Sequence, residues 1–367
     1  MSLDITCHEC RQTRFDTSRE HLETTIMDND RFDETVKSSY IELPPDTNEH
    51  RNKIHIRSAG QRSTPQQPTI VIICGLGSSC LSFTLVQHEL AAAGVPSFTY
   101  DRLGIGRSSP LLPAEGVDAA GTKTPRSRHA EELAMELDEV LRIAGVSPPY
   151  ILVPHSYGGV IGWEYIASRA AHVVGLMALD ANSARSCERP LNDHDLEILT
   201  KGLPDGAFVY ADIVGLSAAN RLPPALWEEW TEKRAPPKPW LHGAGGELAE
   251  MQGYSDSCTA LHRHNLLQKQ PLAKWPVTVL KGDTEGDIRR MIEASEALGG
   301  GTRAAHEDLR KRLEGCSRLE EEQQRDHLLL TDVGTKRFVE ARRSGHWIHI
   351  TEPELVVGEI LRMIGDM

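Results

Sequence analysis

The sequence lacks an excess of positive charge and has no long apolar run. Its 367 residues include 53 Asp and Glu against 40 Lys and Arg, which gives a formal net charge of −13. Nucleic acids and anionic membrane surfaces are bound by clustered Lys and Arg, so this balance argues against both as partners. No run approaches the roughly 20 apolar residues that span a bilayer, and residues 1–20 are too polar for a secretory signal. We therefore expect a protein that acts on a small molecule, with neither nucleic acid nor membrane as a partner.

The chain also has few cysteines. Seven cysteines, an odd number spread along the chain, do not make a disulfide framework. Cys7 and Cys10 form a Cys-x-x-Cys pair, but a structural zinc site needs a second ligand pair, and no second Cys-x-x-Cys is present. Residues 365–367 are neither a peroxisomal nor an ER-retention signal. These features predict a cytoplasmic protein without a metal site, and they leave the oligomeric state open.

Short β-rich runs alternate with helical stretches along most of the chain. Leu133, Leu137 and Leu141 are spaced as on one face of a helix. The predicted helices cover about residues 81–93 and 129–144, the stretch that follows Ser156 to about Arg169, and residues from about 353 onward. The predicted strands are residues 40–43, 54–57, 70–74, 97–101, 151–153, 174–180, 277–281 and 338–341. Strands that alternate with helices at this pitch form a parallel sheet covered on both faces, so we predict an α/β fold.

The alternation stops after the sixth predicted strand. Residues 182–274 contain two Pro-Pro pairs, helical pieces and three of the six tryptophans, and we predict that they form an inserted helical lid. The core then covers residues 39–181 and 275–367. Residues 1–38 are charged and aperiodic, which predicts a loosely ordered N-terminal arm. Within the core, residues 287–330 are rich in Glu, Arg and Lys and are expected to form solvated surface helices.

One serine lies between a predicted strand and a predicted helix. Residues 153–159 read Val-Pro-His-Ser-Tyr-Gly-Gly, with Ser156 at the centre. A tight strand-to-helix turn exposes a serine oxygen above the sheet edge and needs small residues two positions to either side. Gly158 satisfies the downstream position. Pro154 occupies the upstream position, where a glycine is usual, so the motif is incomplete and depends on its context.

Two further segments give the chain a family resemblance. Residues 101–108 read Asp-Arg-Leu-Gly-Ile-Gly-Arg-Ser, and residues 144–150 read Ala-Gly-Val-Ser-Pro-Pro-Tyr. With the serine turn, they resemble the α/β-hydrolase superfamily, over about residues 50–180 and 275–362. The resemblance implies an α/β-hydrolase fold, a mostly parallel eight-stranded sheet with helices on both faces. It also implies that Ser156 is a nucleophile.

The resemblance implies the base and the oxyanion donors as well. His346, in a Ser-Gly-His-Trp segment after the last predicted strand, matches the superfamily's catalytic histidine. His349 is expected to be structural. The oxyanion of the reaction needs N–H donors, which the superfamily takes from the residue after the nucleophile, here Tyr157, and from the loop after the third strand, here Leu76. Cys74 in that loop is expected to be a small buried residue.

The acid that orients His346 has three candidates. Many superfamily members place it after the strand that contains Val279, which gives Asp283 or Glu285. Others place it one strand earlier, which gives Asp180. The branch that this chain resembles has no fixed acid after the later strand, and this favours Asp180. An aspartate also often ends this strand without a catalytic role.

The predicted function is hydrolysis of an ester, lactone or thioester carbonyl through an acyl-enzyme on Ser156, without a metal or organic cofactor. The tryptophans of the lid, Trp227, Trp230 and Trp240, either pack the lid onto the core or line an apolar substrate pocket. The sequence leaves two alternatives open. One is a C–C bond hydrolase, lyase or cyclase of a biosynthetic pathway that uses the same triad, and the other is a non-catalytic ligand-binding protein.

Overall fold

The computed structural model describes residues 35–44, 52–111, 126–186, 193–232 and 245–367. Its strands are β1 (Val36–Glu42), β2 (Lys53–Ala59), β3 (Thr69–Ile73), β4 (Ser97–Tyr100), β5 (Tyr150–Pro154), β6 (Val173–Leu179), β7 (Val277–Lys281) and β8 (Lys336–Glu340). Its α-helices are α1 (Thr84–Ala92), α2 (Ala130–Ile143), α3 (Gly158–Arg169), α4 (Asp193–Thr200), α5 (Tyr210–Ile213), α6 (Leu216–Ala219), α7 (Pro224–Glu232), α8 (Gly246–Leu261), α9 (Leu266–Lys269), α10 (Thr284–Leu298), α11 (Arg303–Asp326), α12 (Ile348–Thr351) and α13 (Pro353–Gly365). Short 3-10 helices cover Cys80–Phe83, Ala170–His172, His262–His264 and His327–Leu330.

The strands of these residues form one eight-stranded sheet in the order β1-β2-β4-β3-β5-β6-β7-β8. Strand β2 is antiparallel to β1 and to β4, and all the other neighbouring pairs are parallel. The predicted mostly parallel eight-stranded sheet is confirmed. Because parallel strands end at the same edge of a sheet, the loops that follow β3, β5, β6 and β8 meet there.

Apolar cores lie on both faces of the sheet. Successive residues of a strand point to opposite faces, and in β3 Val71 and Ile73 pack into the core beneath α2 and α3. Ile70 and Ile72 pack on the opposite face against α1 and α13. Every residue of β3 is buried, as expected for a central strand covered by helices on both sides.

The described residues between β6 and β7 contain helices α4 to α9 and no strand. The longest of these helices, α8, packs against α2 and α3 of the core. The segment is therefore helical, as the sequence predicts, and its role as a lid stays a prediction. At the other end of the sheet, β1 begins at Val36, ahead of the predicted core boundary at residue 39. Residues 1–34, the rest of the predicted arm, lie outside the described residues.

The charged segment 287–330 contains most of α10 and all of α11. Helix α10 ends at Gly299, whose φ of 80° lies in the left-handed region that favours glycine. None of the described helices combines the length and the apolar character needed to cross a membrane.

Candidate active site

Ser156 lies in a tight turn between β5 and α3. Its φ is 53°, a value that few non-glycine residues adopt, and its carbonyl accepts hydrogen bonds of 2.8 Å from the backbone N–H groups of Gly159 and Asn182. A Cβ on Gly158 would lie 2.2 Å from the Ile73 carbonyl oxygen, so a side chain has no room there. Pro154 is accommodated as the last residue of β5, in register with Ile73. The turn therefore has a strained strand-to-helix geometry despite the proline, and we refer to it as the elbow.

His346 lies in the loop after β8, and its ring contacts the aspartate that ends β6. His346 Nδ1 donates a hydrogen bond of 2.6 Å to Asp180 Oδ2. Asp180 is buried and has a φ of 42°, which is also in the left-handed region. Two non-glycine residues with positive φ, Ser156 and Asp180, thus follow neighbouring strands at the same edge of the sheet.

The remaining hydrogen bonds of Asp180 come from the segment after β7. The Thr284 hydroxyl donates to Oδ2 at 2.7 Å, and the Gly282 backbone N–H donates to Oδ1 at 3.1 Å. Burial alone would raise the pKa of Asp180, but the hydrogen bonds from His346, Thr284 and Gly282 outweigh it and lower that pKa. The carboxylate is therefore held in its ionised form.

The two other candidate acids are placed differently. The Asp283 carboxylate caps the start of α10 and accepts a hydrogen bond of 3.1 Å from the Gly286 N–H. Glu285 pairs with Arg289 at 2.6 Å along the exposed face of the same helix. The structure brings Asp180 to the His346 ring, whereas Asp283 bonds to Gly286 and Glu285 to Arg289 at the start of α10.

His155, just before the serine, packs against His346. Its Nε2 donates a hydrogen bond of 3.0 Å to the His346 carbonyl, and the two rings lie 4.5 Å apart. Because Ser156 is the next residue, this contact places the elbow beside the His346 loop. His349 is fully buried and stacks on Phe83 at 3.9 Å, as expected for a structural histidine.

The loop after β3, residues 74–78, lies against the elbow, and we refer to it as the oxyanion loop after the role that the sequence predicts for Leu76. A Cβ on Gly75 would lie 2.9 Å from Ser156 Cβ, so the Gly75 backbone touches the serine. Leu76 follows it, and Tyr157 begins the turn into α3 with its side chain buried. Burial raises the pKa of the Cys74 thiol to about 12, which opposes formation of a nucleophilic thiolate.

A further carboxylate fixes the His346 loop, and sequence reasoning missed it. Asp287 Oδ2 accepts a hydrogen bond of 2.8 Å from the His346 backbone N–H. Its Oδ1 accepts from Arg290 Nη2 at 2.6 Å. Burial raises the pKa of Asp287, while these hydrogen bonds oppose that rise. Asp287 belongs to the same acidic segment as Asp283 and Glu285, so the sequence contained a signal for it.

Two tryptophans of the predicted lid belong to an aromatic cluster that reaches His346 through Trp347. Trp230 is buried, and its ring makes an edge contact with Trp347 at 4.9 Å. The Trp227 ring lies 5.4 Å from that of Trp230, and Trp347 in turn contacts the His346 ring at 5.6 Å. Trp240 lies outside the described residues.

A cavity of about 320 Å³ opens beside His346, between the α5–α6 region and the loop after β8. Three arginines line it, and each bonds to a carboxylate. Arg290 bonds to Asp287, Arg342 to Glu340 and Arg343 to Glu352. The positive charge around this cavity is thus balanced by neighbouring acids.

One cluster in the described part of the chain has atoms suited to binding a metal: His55 Nδ1, Cys80 Sγ and an Asp101 oxygen lie within 4.8 Å of one another. The His55 ring donates to Asp101 Oδ2 at 2.8 Å, and the Cys80 backbone N–H donates to Oδ1 at 2.7 Å. Burial raises the pKa of the Cys80 thiol well above its usual value, whereas a metal needs the thiolate. A Cβ on Gly106 would lie 2.4 Å from Asp101 Oδ2. These contacts make the cluster a hydrogen-bonded support for the turn after β4.

Comparison with known proteins agrees with this architecture. The model of the alpha/beta hydrolase family matches residues 70–359. An AB hydrolase superfamily protein of Gibberella zeae (strain PH-1) is 30% identical over 308 residues, which cover 83% of this chain and 88% of that protein. A second relative, named Probable transporter efuK, from Hormonema carpetanum, is 30% identical over 313 residues. That match covers 84% of this chain but 41% of the relative.

Among solved structures, the enol-lactonase of Burkholderia xenovorans LB400 matches with a TM-score of 0.50. The alignment covers 89% of this chain and 100% of that one, at 15% sequence identity. A likeness at this identity shows the fold. Together with the family model and the sheet order, it confirms the predicted fold class.

Proposed function

Because the chain belongs to the alpha/beta hydrolase family, we propose that it is a serine hydrolase with Ser156 as its nucleophile. In this proposal His346 is the general base and Asp180 the acid that orients it. The enzyme cleaves an ester, lactone or thioester carbonyl of a small, largely apolar molecule through an acyl-enzyme. The 2.6 Å hydrogen bond between His346 Nδ1 and Asp180 carries the proposal, since it joins two residues 166 positions apart beside the serine elbow.

The geometry supports a definite role for each group. With Nδ1 donating to Asp180, the free Nε2 of His346 accepts the proton of the Ser156 hydroxyl as Oγ attacks the carbonyl. The backbone N–H groups of Leu76 and Tyr157 stabilise the oxyanion that forms. His346 then returns the proton to the leaving group, and an activated water hydrolyses the acyl-enzyme. Each step uses only these groups and water.

The aromatic cluster supports an apolar substrate. Trp230 is buried against Trp347, which favours a packing role for that ring. Trp227 is partly buried in the same cluster, and we assign it to the wall of the substrate pocket, with Trp230 behind it. The helices between β6 and β7 serve as the lid over this pocket. We retain a cytoplasmic location as part of the proposal because Cys74 and Cys80, both buried, are free thiols.

A fluorophosphonate probe tests the nucleophile. The probe reacts with an activated serine, so we expect the wild-type protein to be labelled and Ser156→Ala to remain unlabelled. Ser168→Ala is the matched control, because Ser168 lies on α3, which follows the elbow, and its hydroxyl bonds to backbone carbonyls of that helix. Folded wild-type protein that stays unlabelled contradicts the proposal, as does equal labelling of Ser156→Ala.

A substrate screen tests the reaction class. p-Nitrophenyl esters of increasing acyl length, ring lactones and thioesters are assayed with Ser156→Ala as the blank. We expect turnover of at least one of these classes, with a preference for apolar acyl groups that is weakened in Trp227→Ala. Equal turnover by the wild type and the blank across all three classes overturns the reaction class.

A further inference from the structure

Arg102 connects the oxyanion loop to the inserted helical segment. The residue lies two positions after β4, and its side chain is 1% exposed. Its Nη1 donates to the Cys74 carbonyl at 2.7 Å, and its Nη2 donates to the Gly75 carbonyl at 2.8 Å. One guanidinium thus holds two consecutive carbonyl groups of the loop that touches Ser156.

The opposite side of the guanidinium is held by Glu250 of helix α8. Arg102 Nε donates to Glu250 Oε1 at 2.6 Å, and Nη2 donates to Oε2 at 2.7 Å. Both side chains are buried. Burial would lower the pKa of Arg102, but the Glu250 carboxylate outweighs it and the pKa is raised. The Arg102 guanidinium therefore stays charged inside the protein.

A buried ion pair is a weak source of stability, because apolar side chains of similar volume often serve as well or better. Its distinctive property is orientation, since the guanidinium is a rigid planar fork whose donors point in fixed directions. The donors of Arg102 bond to two carbonyl oxygens and one carboxylate at the same time. What the pair supplies here is a fixed geometry of the oxyanion loop.

The Gly75 carbonyl and the Leu76 N–H belong to one peptide group, so fixing the carbonyl also fixes the direction of the N–H. In a planar trans peptide the C=O and the following N–H point in opposite directions. Holding the Gly75 carbonyl toward Arg102 therefore directs the Leu76 N–H away from Arg102. The Ser78 N–H reinforces this orientation with a hydrogen bond of 3.2 Å to the same Gly75 carbonyl.

Helix α8 docks closely enough to make this contact rigid. The Gly246 N–H, at the start of the helix, donates to the Gly104 carbonyl at 3.2 Å. A Cβ on Gly104 would lie 2.7 Å from the Gly246 backbone, so the two glycines allow the close approach. Glu250, one turn further along α8, is thereby held against Arg102.

We propose that Arg102 and Glu250 are positioning residues of the oxyanion hole: Arg102 orients the Leu76 N–H toward the oxyanion formed on Ser156, and Glu250 fixes Arg102. The inference rests on the proposed function. It makes helix α8, a part of the inserted segment, a structural component of catalysis, because displacement of α8 would release the oxyanion loop.

The test replaces the pair as a unit. Loss of one partner would leave a buried unpaired charge and endanger folding, whereas Arg102→Met with Glu250→Leu leaves an apolar pair of similar volume. The matched control is Arg337→Met with Glu359→Leu, because this pair has the same bidentate geometry between β8 and α13. Circular dichroism and thermal unfolding establish that both double variants are folded.

With p-nitrophenyl butyrate as substrate, we expect kcat of the Arg102/Glu250 variant to fall about 10²-fold, the effect of losing one oxyanion donor, with little change in KM. The inhibition constant of an alkyl trifluoromethyl ketone, which forms a tetrahedral adduct with an oxyanion, rises by the same factor. Hydrogen exchange of the amides of residues 74–78 becomes faster. The control variant matches the wild type in all three measurements.

Two failures are distinguishable. A folded Arg102/Glu250 variant that keeps kcat, ketone inhibition and loop exchange at the wild-type level overturns the positioning role while the hydrolase proposal stands. A wild-type protein that neither hydrolyses esters nor reacts with the fluorophosphonate overturns the proposed function, and the catalytic role of Arg102 with it. Equal losses of kcat and of ketone inhibition in both double variants also contradict the positioning role, since they would show that removing either ion pair lowers activity through a general loss of stability.

Discussion

The Thr284 hydroxyl donates a hydrogen bond of 2.7 Å to the carboxylate of Asp180, a residue 104 positions earlier in the chain. Asp180 also accepts hydrogen bonds from the Gly282 N–H and from His346. A buried carboxylate with three donors stays ionised and has a fixed orientation. The segment after β7, which carries two other candidate acids, thus supports Asp180 through a hydroxyl and a backbone amide.

We expect Asp180→Asn to lower kcat by about 10⁴-fold, because an amide at this position favours the wrong tautomer of His346. Asp283→Asn and Glu285→Gln are the matched controls, since each removes one acidic charge, from the segment after β7, and leaves the bond between Asp180 and His346 in place. Both should keep kcat close to the wild-type value. Steady-state assays of the three variants on one ester decide between the acids. If Asp180→Asn keeps near-full turnover while Asp283→Asn or Glu285→Gln loses it, the acid is the residue whose variant lost turnover.

Thr284→Val removes one donor to Asp180 and keeps the shape of the side chain. A hydrogen bond to a charged group contributes about 1.5–3 kcal/mol, so we expect kcat to fall by roughly one to two orders of magnitude. Thr259→Val is the control, because the Thr259 hydroxyl bonds to a backbone carbonyl on the exposed face of α8. Unchanged kcat in Thr284→Val would show that the Gly282 and His346 contacts suffice to hold the acid.

The fold could be predicted from the sequence because its signals are local. The central strands are marked by short continuous apolar runs and helix α2 by the period of its leucines, and the predicted strand at residues 277–281 coincides with β7. The incomplete elbow could also be predicted, because Gly158, the small residue that the turn needs, lies two positions after Ser156. Pro154 is tolerated because it ends β5, where extended backbone suits its fixed φ.

The contacts that orient the site could not be predicted in the same way. They join residues far apart in the chain, such as His346 N–H with Asp287 and Arg102 with Glu250, 59 and 148 positions apart. Nothing in a local pattern separates Asp180, Asp283 and Glu285, because all three follow strands that end at the same edge. Only the packed structure shows which carboxylate meets the His346 ring, and the catalytic roles themselves stay predictions.

We expect buried His327 to make the stability of the protein dependent on pH. It is fully buried, accepts a hydrogen bond of 2.9 Å from Trp163 Nε1, and donates at 3.1 Å to the carbonyl of Ala181, next to Asp180. Burial lowers the pKa of His327 from 6.5 to about 4, against the opposing effect of its bond to Ala181. The unfolded chain therefore binds this proton at a higher pH than the folded protein, and the stabilisation is present above pH 6.5 and lost as the pH falls toward 4.

We expect the free energy of unfolding, measured with urea, to fall by about 3 kcal/mol between pH 6.5 and 4 through this group alone. His327→Gln should remove this part of the slope. His88→Gln is the control, because His88 lies exposed on α1, and it should leave the slope unchanged. Equal slopes in the wild type and His327→Gln would assign the acid sensitivity to other groups.

Gly345 leaves room for the carboxylate that anchors the His346 loop. A Cβ at Gly345 would lie 2.1 Å from Asp287 Oδ2, the oxygen that accepts the His346 N–H. Asp287 cannot simply turn away, because its other oxygen is bonded to Arg290 and the side chain is buried. The Gly345→Ala substitution must therefore break the bond to His346 or move the loop.

We expect Gly345→Ala to lower the free energy of unfolding by about 1–3 kcal/mol, since a buried acceptor and a backbone donor lose their partners. It should also lower kcat, because His346 loses the backbone contact that fixes its ring against Asp180.

Gly358→Ala in α13 is the matched control. A Cβ there would meet nothing within 4 Å, and alanine inside a helix stabilises by roughly 0.4–1 kcal/mol relative to glycine. Urea unfolding and ester turnover of both variants measure the contrast. If Gly345→Ala unfolds at the wild-type urea concentration and keeps its kcat, the Asp287 carboxylate moves aside without loss, and the His346 loop is held by its contacts with Asp180 and His155.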